Sequence, residues 1–257
     1  MTALGNDFVI INALQNKRQK RSFPAIAIRK LADRHFGIGA DQILIIERAK
    51  QKNIDFHYRI FNADGTEAEQ CINGVRCIAK YLFVKKISKK RALSLSCCAG
   101  ITQVKIEKNQ HITATVASPK IMKIKKIKLP QPVALLGAIN TGNPHLILRV
   151  PNIKTAPLQI APKISSNFNK GINIGFTEVI SKHQIRLRTH ERGTGETLAC
   201  GSNATATVAL GIMRGLLQSP VTAKFRFGSL LISQINKTAP VTITGEVKIL
   251  FDGTFWL

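Results

Sequence analysis

The chain has 257 residues, of which 44% are apolar, and a formal net charge of +24. This length and apolar content exclude a disordered chain and allow one large or two ordinary globular domains. No apolar run approaches about 18 residues, and the short run Phe8–Ile11 precedes the basic cluster rather than following it, so we expect neither a membrane span nor a secretory signal. We therefore expect a cytoplasmic protein.

The first elements alternate between strand and helix patterns. Val9–Asn12 is typical of a strand and Phe23–Arg34 of a helix. The glycine-containing run Gly37–Asp41 predicts a tight loop that leads into the apolar strand Gln42–Glu47. The alternating run Asp55–Phe61 predicts a further strand.

A helix is predicted after Cys71, because apolar residues then recur at helical spacing through Phe83. Arg76, Lys80 and Lys85 fall on its opposite side, which predicts one solvent-exposed face. Further strands are predicted at Ala92–Ala99, Thr102–Glu107 and His111–Val116.

The second part of the chain repeats this alternation. The Lys-rich stretch Ser118–Pro132 contains three prolines and predicts a linker or crossover. Gln184–Thr189 predicts a strand, and Ala204–Leu217 predicts a helix that is apolar on nearly every side and therefore buried. Val247–Phe251 and Phe255–Leu257 are expected to close the chain as strands.

Basic residues cluster at Lys17–Arg21, Lys85–Arg91 and Lys120–Lys128. Such clusters attract polyanions. The sequence contains no recognisable nucleic-acid-binding module, and few aromatic residues interleave the clusters. We interpret the charge as a solvated basic surface and expect no specific nucleic-acid partner.

Cys71 and Cys200 occupy equivalent places, 129 positions apart. Each follows a loop that contains glycine and glutamate, and each precedes an apolar helix. A glutamate stands four residues before each cysteine and an arginine twelve before: Glu67 with Arg59, and Glu196 with Arg188. This repetition indicates a duplicated half-fold. We predict an α/β (α+β) fold of two pseudo-symmetric halves, each a curved, mostly antiparallel sheet around a central helix, with the active site in the cleft between them.

The expected domains are residues 1–117, completed by the terminal strand 247–257, and residues 118–246. A cysteine at a helix N-terminus has a lowered pKa, and the exposed N–H groups there also bind carboxylates. Two such cysteines facing each other supply one thiolate to remove a proton and one thiol to return it from the opposite side. This arrangement predicts inversion of a stereocentre without a cofactor.

The remaining cysteines suggest no other chemistry. An odd count of five without an export signal argues against a disulfide framework. Cys97 and Cys98 are expected to pack as small apolar residues. The spacing of Cys71 and Cys77 is too wide for a CxxC pair and no histidine cluster accompanies it, so we predict no metal site. His145 and Glu191 are candidates for tuning the two catalytic thiols, although a histidine after a turn proline is often structural.

At these residues the sequence resembles the diaminopimelate epimerase family, whose members are cofactor-independent two-cysteine enzymes of lysine and peptidoglycan-precursor biosynthesis. The resemblance covers nearly the whole chain, in the family's order. It is carried by Leu4–Phe8, Gly37–Gln42, Tyr58–Gly65, Cys71–Cys77, Gly142–His145, Asn173–Phe176 and Glu191–Ser202.

The resemblance implies roles for individual residues. Cys71 and Cys200 match the two catalytic cysteines, of which one acts as base and the other as acid according to the handedness of the substrate, and His145 and Glu191 match residues that modulate them. No cofactor is implied, and the implied partner is a small molecule, diaminopimelate; a homodimer is also compatible with the family. The implied substrate-binding positions, through side chain or backbone amide, are Asn6, Gln42, Asn62, Ile72, Asn73, Asn143, Asn173, Glu191, Arg192, Gly201 and Ser202.

Three features depart from the family pattern. Ile72 follows the first catalytic cysteine where the family has glycine, and a β-branched residue tolerates positive φ poorly. Asn203 replaces a glycine near the second cysteine, and the chain begins where the family's first strand is usually ending.

Three alternatives therefore stay open. One is a racemase of the same fold that acts on another amino acid. A second is the phenazine-pathway isomerase branch, which lacks the cysteine pair. The third is a basic binding protein on a weakened enzyme fold.

Overall fold

The computed structural model describes residues 1–14 and 23–256. The chain forms two compact units: Met1–Ala114 with Glu246–Leu257, here called the first half, and Thr115–Gly245, the second half. The basic cluster Lys17–Arg21 and the terminal Leu257 lie outside the described residues. None of the helices within the described ranges is long and apolar enough to cross a membrane.

Within its described residues, the first half contains two α-helices and eight strands. In chain order they are β1 (Thr2–Ala3), β2 (Asn6–Asn12), α1 (Ala25–Ala32), β3 (Gln42–Arg48), β4 (Phe56–Asn62), β5 (Glu67–Ala68), α2 (Ile72–Val84), β6 (Ala92–Cys97), β7 (Gly100–Ile106) and β8 (Ile112–Val116), the last of which runs into the second half.

The second half contains two helices of its own. Its elements are β9 (Lys120–Met122), β10 (Ala134–Asn140), β11 (Pro144–Arg149), α3 (Ala161–Ser165), β12 (Asn173–Ser181), β13 (Gln184–Glu191), β14 (Gly195–Thr197), α4 (Gly201–Met213), β15 (Val221–Phe225), β16 (Gly228–Gln234) and β17 (Val241–Gly245).

The two halves have the same strand connectivity. In the first, β2 is parallel to β3, β3 antiparallel to β4, β4 parallel to β6, and β6 antiparallel to β7. In the second, β11, β12, β13, β15 and β16 follow the same sequence of parallel and antiparallel pairings. Registers agree as well: Phe61 lies opposite Glu67 in the first half, as His190 lies opposite Glu196 in the second. The predicted mixed fold of pseudo-symmetric halves is confirmed.

In each half, a strand of the sheet is buried on both of its faces. In β3, Ile43 and Ile45 pack with α1, whereas Leu44 points to the other side, against Gly74 of α2. In β11, Ile147 packs with α4, whereas Leu146 and Leu148 join the cluster that contains α3. Because successive strand residues face opposite sides, continuous apolar runs are needed for such doubly covered strands.

The predicted helices are present with shifted ends: α1 is shorter at both ends, α2 reaches Val84, and α4 starts earlier, at Gly201, and ends at Met213. The first begins after Pro24, whose extended conformation places it at the N-cap, and it ends before Asp33. The predicted all-round burial of α4 is confirmed, since Ala204 through Gly211 are all buried. This helix ends before Gly215, whose positive φ of 71° does not continue a helix.

The predicted C-terminal strands are wrong. Val247–Phe251 forms a single bridge, in which Lys248 exchanges two backbone hydrogen bonds of 2.9 Å with Thr2. The neighbouring β1 has only two residues, so Leu250 and Phe251 find no strand partner there and are exposed. Residues 255–256 are likewise outside any strand. The alternation therefore predicted a strand at a place where no neighbouring strand is long enough to pair with it.

The Lys-rich segment predicted as a linker is packed onto the second half. Its residues Lys120–Met122 form β9, which pairs with β10. Ile124, Ile127 and Leu129 pack on the core of that half, while Lys125 and Lys128 are exposed. The lysines therefore belong to a solvated face, as the charge pattern predicts.

Candidate active site

Cys71 and Cys200 are the N-cap residues of α2 and α4. Their backbone angles are nearly identical, with φ −139° and ψ 112° at Cys71 and φ −131° and ψ 112° at Cys200. The N-cap residue adjoins the first helical N–H groups, which lack partners within the helix. The Cys71 Sγ accepts from one of these groups, the Gly74 N–H. The N–H groups at both helix starts can bind an anion and favour a nearby thiolate.

The two sulfurs have different polar neighbours within their own halves. Cys71 is partly exposed; its Sγ accepts a hydrogen bond from the Gly74 N–H at 3.4 Å and lies 3.9 Å from Asn6 Oδ1. Cys200 is buried, and its Sγ lies 3.2 Å from Ser202 Oγ. The Cys71 sulfur thus contacts a backbone N–H, that of Gly74, whereas the Cys200 sulfur contacts a side-chain hydroxyl, that of Ser202.

The duplicated arginine and glutamate residues pair with each other. Arg59 donates to both carboxylate oxygens of Glu67, at 2.9 and 2.8 Å, and Arg188 does the same to Glu196, at 2.7 and 2.9 Å. Each pair joins the two strands of the hairpin that leads to a cysteine. The residue spacing seen in the sequence therefore corresponds to one repeated ion pair in each half.

The binding residues predicted for the first half lie in two linked groups. Asn73 Nδ2 donates to Asn6 Oδ1 at 3.3 Å, close to Cys71. At the adjoining strand ends, Gln42 Nε2 donates to Asn62 Oδ1 at 3.0 Å. Carboxamides of this kind offer both donors and acceptors, which suits a substrate with carboxylate and ammonium groups.

A cluster of charged residues fixes the connection between α1 and β3 to the start of β2, beside Asn6. Arg34 donates to both carboxylate oxygens of Asp7, at 2.8 and 2.9 Å, and to Asp41 at 2.8 Å. Burial raises the pKa of Asp7, but the hydrogen bonds from Arg34 and the Asp41 N–H outweigh it and lower that pKa overall. Asp41 in turn accepts from Asn6 Nδ2 at 2.8 Å. Arg34 is a supporting residue that sequence reasoning missed, since it lies outside the motifs.

His145 is fully buried in the second half. One ring nitrogen, Nε2, lies 2.9 Å from Asn143 Oδ1. Because burial disfavours the charged ring, the pKa of His145 is lowered to about 3, so the imidazole is neutral near pH 7. Nδ1 has no hydrogen-bond partner within residues 1–14 and 23–256. His145 and Asn143 are brought together, as expected of neighbours in one site.

Glu191, Asn173 and Arg192 form a second group in this half. Thr197 Oγ1 donates to Glu191 Oε1 at 2.6 Å, and the Arg192 N–H donates to Asn173 Oδ1 at 2.9 Å. The Arg192 guanidinium donates to the Lys170 carbonyl at 2.8 Å. This contact fixes one edge of the guanidinium, while the fork geometry of arginine suits bidentate binding of a carboxylate.

Of the two departures beside the cysteines, Ile72 is accommodated, whereas Asn203 is buried with its Oδ1 lacking a hydrogen-bond partner within residues 1–14 and 23–256. Ile72 is the first residue of α2 and is not among the described residues with positive φ. Its N–H therefore keeps a helical orientation, and its side chain is buried. Asn203 is buried and donates to Thr189 Oγ1 at 2.6 Å.

Two expectations about neighbouring residues are wrong. Cys98 is exposed, because β6 ends at Cys97 and the chain turns there; Cys97 is buried as predicted. Arg76 is predicted on a solvent-exposed face of α2 but is completely buried, in a helix against which β1, β2, β3 and β7 all pack. Cys77 is also buried, which raises the pKa of its thiol to about 12 and keeps it protonated.

Comparison of the sequence with known proteins identifies its family. The family model described as diaminopimelate epimerase matches residues 1–122 and 137–250. The chain belongs to the diaminopimelate epimerase family. A diaminopimelate epimerase of Nitrosomonas eutropha is 39% identical over 99% of this chain and 96% of the relative. One from Buchnera aphidicola is 41% identical over 100% of this chain and 94% of the relative.

Solved structures share the fold at low sequence identity. A PhzF-family phenazine biosynthesis protein of Bacillus anthracis has a TM-score of 0.71 at 14% identity, covering 94% of this chain and 90% of its own. A predicted epimerase of Pseudomonas aeruginosa has a TM-score of 0.67 at 15% identity, covering 96% and 94%. These similarities bear on the fold alone.

Proposed function

We propose that this protein is a cofactor-independent epimerase that interconverts LL- and meso-2,6-diaminopimelate, with Cys71 and Cys200 as the two acid–base residues. Membership in the diaminopimelate epimerase family supports the substrate. The observation that carries the mechanism is the repeated placement of a cysteine at the N-cap of a central helix, with nearly identical backbone angles. A repeat of this kind suits a reaction in which two equivalent groups exchange roles.

In the proposed reaction, one cysteine acts as a thiolate and removes the α-proton of the substrate. The electron pair left on the α-carbon is delocalised into the adjacent carboxylate. Backbone N–H groups at the start of a helix, those of Ile72 and Asn73 or of Gly201 and Ser202, stabilise the charge that develops there. The other cysteine, as a thiol, donates its proton to the opposite face. The first cysteine ends as the thiol and the second as the thiolate, so the reverse reaction starts from the exchanged state.

The remaining side chains are proposed to bind and orient the substrate. Diaminopimelate has two carboxylates and two ammonium groups, and a site for it needs many polar partners. Arg192 is the candidate for a bidentate carboxylate contact. His145 and Glu191 are proposed to tune the thiols, with His145 acting as a neutral hydrogen-bonding group because of its burial. The amide side chains proposed to hold the polar groups of the substrate are Asn6, Gln42, Asn62, Asn143 and Asn173.

The proposed setting is the cytoplasm, whose reducing conditions keep thiols available for acid–base work. The substrate is a small molecule, and a specific nucleic-acid partner is not part of the proposal. A homodimer stays a prediction, which sedimentation at several protein concentrations would check.

The test is conversion of LL-diaminopimelate by the pure, reduced protein in D2O. We expect the meso isomer to form with deuterium at the α-carbon. Cys71→Ala and Cys200→Ala should each abolish epimerisation, whereas Cys98→Ala, which changes an exposed cysteine, should retain the wild-type rate. Conversion of another amino acid in place of diaminopimelate would overturn the substrate assignment, and an active Cys71→Ala or Cys200→Ala variant would overturn the two-base mechanism.

A further inference from the structure

Arg76 is the largest of the side chains that are completely buried in the described part of the chain. It lies in the second turn of α2, five residues after Cys71. Its Nη2 donates to Asn73 Oδ1 at 2.8 Å, and Nε and Nη1 have no hydrogen-bond partner within residues 1–14 and 23–256. A buried guanidinium with so few partners is costly to keep, so a structural role alone explains it poorly.

The contact with Arg76 determines the orientation of two site carboxamides. A guanidinium can only donate, so the Asn73 atom that faces it must be the oxygen. The Asn73 amide nitrogen then points to Asn6 and donates to Asn6 Oδ1 at 3.3 Å. The Asn6 nitrogen donates to Asp41 Oδ2 at 2.8 Å, which fixes the other end. Asn6 Oδ1, which accepts a hydrogen bond from the Cys71 thiol at 3.9 Å, is therefore held from both sides, and it orients the Cys71 side chain in its protonated form.

The charge of Arg76 also acts on the thiol of Cys71. Burial lowers the pKa of the Arg76 guanidinium, while a thiolate at the neighbouring Cys77 or Cys71 raises it. Arginine stays protonated in proteins even when its pKa is lowered. Two other titratable neighbours stay neutral near pH 7, because burial raises the pKa of Cys77 to about 12 and that of Tyr58, on β4, still further. The N-terminal ammonium, next to β1, acts on Cys77.

We propose that Arg76 is a positioning residue for Cys71: through the Asn73 and Asn6 carboxamides its buried guanidinium holds the Cys71 side chain in place, and its positive charge stabilises the thiolate once the proton has left. The proposal rests on the proposed function, in which Cys71 must ionise to act as a base. It deepens that function by assigning the thiolate of the first half a dedicated counter-charge.

The second half lacks this device. The residue 129 positions after Arg76 is Thr205, whose hydroxyl donates to the Gly201 carbonyl at 2.9 Å. Position 202, equivalent to Asn73, is a serine whose hydroxyl lies 3.2 Å from Cys200 Sγ. The two catalytic thiols are thus stabilised differently, and Cys200 provides an internal control for any experiment on Arg76.

The experiment is the pH dependence of iodoacetamide alkylation at each cysteine, followed by mass spectrometry with fragment-ion assignment. Only a thiolate reacts at an appreciable rate, so the midpoint of each profile reports its ionisation. In Arg76→Met we expect the Cys71 profile to move to higher pH and its alkylation near pH 7 to slow about tenfold, the effect of one pH unit. The Cys200 profile should stay unchanged.

Three variants complete the design. Arg76→Lys keeps the charge and should restore a profile near that of the wild type. Lys80→Met, which removes a charge from the same helix away from Asn73, should leave the Cys71 profile unchanged. Arg76→Gln removes the charge but keeps an amide donor, and it takes the place of Arg76→Met if that variant does not fold. An unshifted Cys71 profile in a folded Arg76→Met or Arg76→Gln variant would overturn the proposal.

The readout needs no substrate and so separates this inference from the proposed function. A wild-type protein without epimerase activity would contradict the function, while the Cys71 profile would still decide the role of Arg76. If the wild type is active, Arg76→Met should lower kcat near pH 7 and regain part of it at higher pH, whereas a purely structural defect would lower activity at all pH values.

Discussion

The carboxamide of Asn203 fills the space beside the α-carbon of Gly175. A β-carbon at position 175 would lie only 2.8 Å from both Cγ and Nδ2 of Asn203. The equivalent contact in the first half has the sizes reversed: Leu44 of β3 is large, and Gly74 of α2 is the small residue that faces it. The two positions correspond because Leu44 lies opposite Ile60 and Gly175 lies opposite Thr189, and these partners are 129 positions apart. At this equivalent contact, the first half therefore has the large residue on the strand and the second half has it on the helix.

Gly175→Ala should destabilise the protein by about 1–3 kcal/mol, since the new methyl group must displace the buried Asn203 and break its bond to Thr189. In the presence of Asn203→Ala the same substitution should cost much less. Urea unfolding of the two single variants and the double variant measures the coupling. Gly253→Ala, at a glycine with open space around it, is the matched control and should be nearly neutral. Additive effects of the two substitutions would contradict the proposed contact.

Much of the fold was predictable because its elements have local signals. Each central helix begins after a cysteine that follows a glycine-containing hairpin. The apolar residues after each cysteine predicted both helices. The strands Gln42–Arg48 and Gln184–Glu191 were visible as apolar or alternating runs. The tail Val247–Phe251 has the same alternation but forms one bridge, because strand formation depends on a neighbour and β1 is two residues long. Alternation shows that a segment is suited to form a strand. Whether a second strand is available to pair with it depends on other parts of the chain.

The candidate site was predictable to a different degree. The repeated spacing around Cys71 and Cys200 identified the duplicated N-caps and the residues that pair as Arg59 with Glu67. The sequence wrongly predicts that Arg76 lies on a solvent-exposed face. Helical periodicity shows on which side of the helix a residue lies, but not whether strands cover that side. Arg34 gave no signal, since its contacts depend on how the connection between α1 and β3, which contains both Arg34 and Asp41, folds against Asp7 of β2.

Ile72→Gly should leave catalysis largely unchanged and lower stability. Ile72 already has a helical conformation with its N–H at the start of α2, so glycine offers no needed positive φ. It removes a buried side chain and adds backbone freedom, which together cost about 2–5 kcal/mol. We expect kcat/KM for diaminopimelate to change by less than about threefold, roughly 0.6 kcal/mol. A rise of tenfold or more would show instead that the isoleucine side chain crowds the substrate.

The ion pairs Arg59–Glu67 and Arg188–Glu196 should contribute equally and modestly to stability. Both are bidentate, but their side chains are 30–46% exposed, so water screens them. Double-mutant cycles with alanine at each arginine and glutamine at each glutamate should give coupling energies of about 0.5–1 kcal/mol in both halves. The coupling should decrease in 1 M salt. A coupling several times larger in one half would mean that the two hairpins are not energetically equivalent.

His145 should make the protein sensitive to acid. Its pKa in the folded protein is about 3, well below the value of 6.5 for a solvent-exposed histidine, because burial disfavours the charged ring. Between these two pH values the unfolded chain binds a proton that the folded chain excludes, so stability falls as pH decreases below about 6.5. The slope from this one group approaches about 1.4 kcal/mol per pH unit. Above about pH 6.5 both states are neutral there and the contribution is constant.

His145→Gln isolates this effect, because glutamine retains a polar side chain but has no proton to gain. Urea unfolding at pH 7, 6 and 5, followed by circular dichroism, should show a shallower loss of stability for the variant. Any loss of the contact with Asn143 lowers stability equally at every pH, so the difference in slope reports the histidine alone. Parallel stability curves for the variant and the wild type would mean that His145 gains a proton as readily in the folded protein as in the unfolded chain, and the neutral role proposed for it beside the thiols would then fail.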